Sequence, residues 1–330
     1  WLKIFKLNDL VCKQVKEESG YLWSLFEKDC RISMAGTVAM LNLLNLNLFE
    51  KAMSDLPTQK KGCYLQENQG WEIAFINAWK NARHGDSLIG VPHTTVRYWD
   101  LRYFYDPRIY EHTGNYDFPL PDFVGINGRQ AKQMYLDGGY PKSALLDVEA
   151  LRYLYLSEKY NEESVVKKKS ATFVVLVLGG YLEEDTARQM KILHDAVCLV
   201  NVSLMFLVKS HPACLIKAAD YPDLHMNLTI DPISELIEIS DIAYTSSETS
   251  AAVDAYCAGI PVVTILNPNI LNLSPLRGNE GVSFVNTSEE LADILNGMVE
   301  VKIAERDDFF YLDSELPLWK DIMVSKRMPD

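Results

Sequence analysis

The sequence has no Cys-x-x-Cys pair, no Asp-x-Asp, no excess of basic residues and no apolar run near the roughly 20 residues that span a bilayer. Its six cysteines, Cys12, Cys30, Cys63, Cys198, Cys214 and Cys257, are scattered, which excludes a zinc knuckle and a disulfide framework and fits a reducing cytoplasm. Without Asp-x-Asp, a common carboxylate clamp for a divalent cation on a diphosphate is missing, so no metal is expected. With 32 Lys and Arg against 45 Asp and Glu, the net charge of -13 excludes nucleic acid as main partner, because phosphate-backbone binding needs a basic face. The longest apolar run, Phe173 to Leu178, has the length of a strand. The chain opens at Trp1 with neither methionine nor signal peptide, and flanking segments are expected.

What is present is a globular composition, 48% hydrophobic and 23% charged, over 330 residues, enough for two domains. Residues 1 to about 60 carry apolar residues at helical spacing, notably Met34 to Leu48. From Gly62 the pattern changes to short apolar runs followed by helical or loop stretches: Cys63 to Leu65, Ser87 to Val91, Phe123 to Ile126 and Ala144 to Val148. Ser157 to Ser170 is polar and aperiodic and reads as a linker. A second strand series follows: Ala171 to Leu178, Ser203 to Lys209, Asn227 to Ile230, Ile242 to Thr245, Pro261 to Ile265 and Val282 to Val285, with helical stretches such as Thr186 to Val200 between. The alternation predicts an α/β protein of GT-B type, two Rossmann-like domains behind a helical start. The expected divisions are 1–160 on the acceptor side, 161–303 for the nucleotide, and an aromatic tail, 304–330, at the junction.

The most informative stretch is Ser240 to Pro261. A strand runs into Thr245, Ser246, Ser247, Thr249 and Ser250, then a helix over Ala251 to Ala258 stopped by Gly259-Ile260-Pro261. Hydroxyls at a strand-to-helix switch, with unpaired backbone N–H groups, suit a phosphate; Ser247 as an N-cap paired with Ser250 or Glu248 suits the same residues. Upstream, Lys209-Ser210-His211-Pro212 ends a strand where ligands bind in such sheets. His211 can donate to a phosphate oxygen, though a lone histidine is equally a structural residue. In the loop Asn272 to Gly278, Ser274 and Arg277 either close over a phosphate or sugar carboxylate or belong to a plain surface loop.

The HP and Ser-Ser pieces, with the strings Tyr64-Leu65-Gln66-Glu67-Asn68-Gln69-Gly70-Trp71-Glu72, Gly90 to Asp100 and Asp147 to Tyr153, resemble the retaining β-Kdo transferases of glycosyltransferase family 99, over about residues 62 to 290. Polysialyltransferases resemble the HP and Ser-Ser pieces as well. The resemblance implies a CMP-β-Kdo donor held by Lys209, His211, Pro212, Thr245, Ser246, Ser247, Thr249, Ser250 and Ser274 without metal or other cofactor. It also implies a carboxylate that carries Kdo transiently. In related enzymes that nucleophile lies in the loop after the first strand of the C-terminal domain, here Leu178 to Thr186. Gly180 stands where an aspartate is expected, so the candidates are Asp185, then Glu184, then Glu183. The same acids suit the first turn of a helix.

Retention by double displacement also needs a base for the acceptor hydroxyl. Glu67 is the candidate, with capping of the helix near Trp71 as its alternative. Gln66, Asn68, His93, Thr94, Arg97, Tyr98, Arg102 and Arg277 are candidates for sugar or acceptor contact, and the aromatic residues among and beside them equally suit a core. The implied acceptor is an O-antigen-type glycan, expected to be lipid-linked, which would put the work in the cytoplasm at the inner face of the inner membrane with peripheral association. A CMP-sialic acid transferase, a UDP-sugar transferase or epimerase, and a non-catalytic GT-B module are the competing readings.

Overall fold

The computed structural model describes residues 2–82, 84–85, 87–97, 99–110, 118–159, 172–297 and 309–324. These form two compact units, one of residues 1–91 and 111–124, the other of 92–110 and 125–330. Tyr98, most of the linker and the divisions expected near 160 and 303 lie outside the described residues.

The first unit begins with helices α1 (Leu2–Ser19), α2 (Trp23–Met34) and α3 (Gly36–Asp55). The helical spacing noted over Met34 to Leu48 is interrupted at Ala35, which is extended at φ -149° and ψ 157°. Pro57 closes α3 by holding Leu56 extended. The apolar spacing of α3 does not make a core stripe: Met53 is buried, but Met40, Leu41, Leu43, Leu44 and Leu48 are exposed. No single described helix is long and apolar enough to cross a membrane. Strand β1 (Lys61–Leu65), α4 (Gly70–Asn81), β2 (Ser87–Val91) and β3 (Phe123–Ile126) follow, with β1 to β2 and β2 to β3 parallel. Met53, Ile76, Ala78, Trp79 and Leu88 form the core beneath them.

In the second unit, α5 (Arg129–Asp137) and β4 (Leu145–Asp147) complete the strand order β1-β2-β3-β4, and α6 (Tyr155–Lys159) follows. Then come β5 (Phe173–Leu178), α7 (Glu183–Val197), β6 (Leu204–Lys209), β7 (Met226–Leu228), α8 (Ile233–Ile239), β8 (Ile242–Thr245), α9 (Ala251–Cys257), β9 (Val262–Ile265), β10 (Val282–Val285), α10 (Ser288–Gly297) and α11 (Pro317–Val324). The six strands are parallel in the order β10-β9-β8-β5-β6-β7, which is the doubly wound order. Residues 174–178 of β5 are buried on both faces, between a layer holding Leu236, Val253 and Phe310 and one holding Met190, Leu193 and Leu291. Helix α7 starts three residues before the predicted Thr186, because Glu183, Glu184 and Asp185 are favourable in a first turn. Gly259, at φ +77°, ends α9 in the left-handed conformation a glycine adopts without strain.

The aromatic tail packs inside this unit. Phe310 stacks on Tyr153 with centroids 4.0 Å apart, and Tyr311 exchanges backbone hydrogen bonds with Asn127 and Ala150. Glu149, 1% exposed, accepts the N–H groups of Leu318 (2.7 Å) and Trp319 (3.0 Å) at the start of α11. A carboxylate there satisfies orphan amides and complements the helix dipole.

Candidate functional site

In the second sheet the chain leaves β5 toward β6 and β7, then returns to the other side for β8, β9 and β10. The crevice at the carboxyl ends of β5 and β8 is therefore a switch point, where such sheets bind ligands. Two hydrogen bonds tie the strand ends together there: Gly179 N to Lys209 O (3.1 Å) and Ser246 N to Leu178 O (3.2 Å). The loops after β5, β6 and β8 are thus held side by side.

Gly180 fits because it has no side chain. A Cβ at this position would stand 2.9 Å from Ser246 Oγ and 3.2 Å from Ser246 Cβ. Ser246 is 2% exposed and its Oγ has no hydrogen-bond partner among the described residues. A buried hydroxyl without a partner costs about 1–3 kcal/mol, a cost a ligand oxygen would remove. His211 lies on the neighbouring loop, its ring edge-on to Tyr181 at 6.2 Å, and its Nδ1 accepts the Ala213 N–H at 3.1 Å. In the neutral ring that leaves the proton on Nε2, a donor suited to a phosphate oxygen.

Two carboxylates share this crevice. Asp185, half-buried in the first turn of α7, accepts from Asn267 Nδ2 at 3.3 Å, whereas Glu183 and Glu184 are exposed. Glu248 is 6% exposed. Burial pushes its carboxyl above the usual range and the Asp185 charge adds to this, while Tyr181 and Arg97 pull the other way. Arg97 Nη2 donates to the Glu248 backbone oxygen at 2.6 Å, so the loop after β2 supplies the cation of the cluster. The phenol of Tyr181 is raised in turn, by burial first and then by Glu248.

Several other expected residues are engaged within the chain. Thr245 Oγ1 pairs with Thr264 Oγ1 at 2.9 Å between β8 and β9, fully buried. Lys209 Nζ donates to the carbonyls of Ile230 (3.2 Å) and Asp231 (2.6 Å). Ser274 Oγ accepts the Leu276 N–H, Arg277 lies over the Trp99 ring, and Arg102 makes two bonds to Asp100. Asn127 Nδ2 donates to Thr94 O, and His93 is half-buried on the same loop. Pro212 is exposed; Ser247 is buried, at 5%. The N-cap pairing of Ser247 is not found: Thr249 Oγ1 accepts the Ala251 N–H, and Ser250 occupies the cap position without a side-chain bond. Helix α9 has only seven residues, so its dipole is short and the loop's hydroxyl and amides matter more.

In the first unit Gln66 is 2% exposed and donates to Asn68 Oδ1 at 3.0 Å, and Asn68 has φ +54°. Glu67 does not cap α4. Gln69 and Glu72 form a capping box, and Glu72 Oε1 accepts the amides of Glu67 (2.9 Å) and Gln69 (3.0 Å).

Sequence reasoning passed over Glu248 and Tyr181 as site residues, because one carboxylate among hydroxyls reads as capping. It also passed over Asp254, which accepts a hydrogen bond from Tyr155 and is pushed up to about 6 by burial.

No family model matches the chain, and no curated protein matches it. Solved structures do. A UDP-GlcNAc 2-epimerase from Methanocaldococcus jannaschii shares 12% identity at a TM-score of 0.56, covering 88% of this chain and 84% of its own. The Staphylococcus aureus MnaA–UDP structure shares 12% at 0.53, covering 84% and 77%. A Listeria monocytogenes protein assigned as a UDP-N-acetylglucosamine 2-epimerase shares 15% at 0.57, covering 89% and 82%. With the two sheets described above, this likeness gives the chain a fold of GT-B type.

Proposed function

We propose that the chain is a glycosyltransferase that takes β-Kdo from CMP-β-Kdo and transfers it, with retention, to a surface-glycan acceptor. The observation that carries the reading is the Ser246 hydroxyl, without a partner among the described residues, beside Gly180 at the switch point, with His211 on the neighbouring loop, a setting that suits a single phosphate. The choice of CMP-Kdo rests on the sequence resemblance to family 99. Its bond to carbon breaks at the anomeric centre, the electron pair leaves with the phosphate, and a carboxylate takes its place. Asp185 is the nucleophile in this scheme because it is half-buried, whereas Glu183 and Glu184 are exposed, and its chain neighbour Thr186 lies next to the Gly180 gap. Glu67 is kept as the base for the acceptor hydroxyl. The acceptor is a glycan, proposed to be lipid-linked and met at the inner face of the membrane.

The second reading is a UDP-sugar enzyme, favoured by the fold likeness to a structure holding UDP. Nucleotide release from CMP-Kdo, CMP-sialic acid and UDP-N-acetylglucosamine separates the two. CMP release from CMP-Kdo alone supports the proposal, and release of UDP without CMP would overturn it.

A further inference from the structure

We propose that Cys12 and Cys30 are a modification site: their thiols exchange with a small-molecule disulfide and join in a reversible bond that clips α1 to α2. Spacing does not reveal the pair, because the two residues stand 18 apart with no cysteine motif between them. The fold brings them together. A single turn, Gly20–Leu22, separates α1 from α2, and Gly20, at φ +55°, takes the left-handed conformation that lets the chain reverse there. Cys12 lies eight residues before Gly20, and Cys30 lies eight residues after Leu22. In a hairpin of two helices, residues equally far from the turn stand side by side, here each about 12 Å from it at a rise of about 1.5 Å per residue.

The two sulfurs are 3.7 Å apart. A disulfide needs about 2.05 Å between them, so the remaining gap is on the scale of a side-chain adjustment. Cys12 is 4% exposed and Cys30 is partly exposed, so Cys30 meets the small disulfide first and Cys12 is the inner, resolving thiol. Burial and then the Cys12 thiol hold the Cys30 thiol above its usual range, while Arg31, itself paired with Glu27 at 3.0 Å, pulls it down. The exchange is therefore slow at neutral pH and quickens as pH rises. The other cysteines lie on different elements: Cys63 in β1, Cys198 after α7, Cys214 after β6 and Cys257 in α9. Cys63 and Cys198 are exposed, which makes them internal reporters of whether a reagent has acted.

With glutathione disulfide as the oxidant, the Cys30 sulfur attacks one sulfur of the reagent and the first glutathione leaves as a thiolate. The Cys12 sulfur then attacks the Cys30 sulfur of the mixed disulfide and releases the second glutathione. The reagent's bond and the mixed bond break, and the mixed bond and the Cys12–Cys30 bond form. The two thiol protons pass to the released glutathiones, so the reagent is reduced and the cysteine pair oxidised by two electrons. Excess reduced thiol runs the sequence backwards. The bond ties α1 to α2 and restricts the unfolded chain between residues 12 and 30.

The test treats the whole folded chain with glutathione disulfide at mildly alkaline pH, blocks the remaining thiols with iodoacetamide, and digests with trypsin, which cuts after Lys13, Lys16 and Lys28 between the two cysteines. In the wild type the peptides carrying Cys12 and Cys30 are expected to be joined and two hydrogens lighter than their sum. Iodoacetamide labelling of both should fall by about tenfold or more and return when dithiothreitol is added before the block. Amide hydrogen exchange in α1 and α2 should slow on oxidation, on the order of tenfold, while that of α7 stays the same. In Cys12→Ser, Cys30 should keep one glutathione; in Cys30→Ser, the buried Cys12 should stay unmodified and no joined peptide should form. The peptide mapping is read on the wild type and so stands even where a variant folds poorly. Cys12 and Cys30 still fully labelled after Cys63 and Cys198 have taken up glutathione would overturn the proposal. So would a joined peptide that pairs either one with another cysteine, a bond that dithiothreitol does not open in the folded chain, or unchanged exchange in both helices.

Discussion

Gly180 is the position at which one added methyl tests the geometry of the crevice most sharply. In Gly180→Ala the new Cβ meets Ser246 Oγ at 2.9 Å, about 0.5 Å inside ordinary contact, and Ser246 Cβ at 3.2 Å. Ser246 has little room to yield, since it is buried and its N–H is bonded to Leu178 O, which links β8 to β5. Overpacking of this kind costs about 1–3 kcal/mol. Because the displaced hydroxyl is the one assigned to phosphate, nucleotide affinity should fall by about tenfold or more, a factor of ten being about 1.4 kcal/mol. Gly179→Ala is the control. Its Cβ meets the flexible end of Ile216 at 3.3 Å and the His211 amide at 3.6 Å, and the cost expected is under about 0.5 kcal/mol. Urea unfolding and CMP calorimetry on both variants read the difference. Equal stability and equal affinity for the two alanine variants would refute the argument.

Three further outcomes are expected. Glu149→Ala removes a buried carboxylate that binds two amides of α11, and urea unfolding should show a loss of about 3–5 kcal/mol with the detachment of the tail. Asp254, pushed up to about 6 from 3.8, favours its protonated form in the folded state, so its contribution is fully present below about pH 3.8 and is lost as pH rises through 6. The stability of the wild type minus that of Asp254→Asn should therefore fall by about 3 kcal/mol between pH 3.5 and 7.5, measured by urea unfolding across pH. Arg97→Ala removes the guanidinium that holds the Glu248 backbone and should weaken nucleotide binding by about tenfold in calorimetry, while Arg102→Ala, whose guanidinium pairs with Asp100, should leave it within about twofold.

Much of the fold was legible because parallel strands leave an unambiguous trace. Ser87–Val91, Phe123–Ile126, Ile242–Thr245 and Val282–Val285 fall where the apolar runs predict them, each bounded by turn or polar residues. Boundaries failed where a side chain can serve two purposes. Glu183 to Asp185 suit both a loop carrying acids and a first helical turn, and the structure puts them in the helix. The site was legible in part. Ser246, His211 and Asp185 stand out as types suited to phosphate and nucleophile, but Thr245 faces Thr264 inside the sheet and Ser274 serves its own turn, which spacing alone does not reveal. Glu248 was hidden for the opposite reason. Its backbone oxygen is held by Arg97, 151 residues away, and no local pattern carries that information.

The central claim, a CMP-Kdo donor and a covalent Kdo carried by Asp185, meets its most direct test in intact-protein mass spectrometry. Wild type, Asp185→Ala and Glu184→Ala are each incubated with CMP-Kdo made in place. A gain of one Kdo in the wild type and in Glu184→Ala, absent in Asp185→Ala, is the predicted result. A wild type that releases CMP without an adduct, or an adduct that survives in Asp185→Ala, would contradict it.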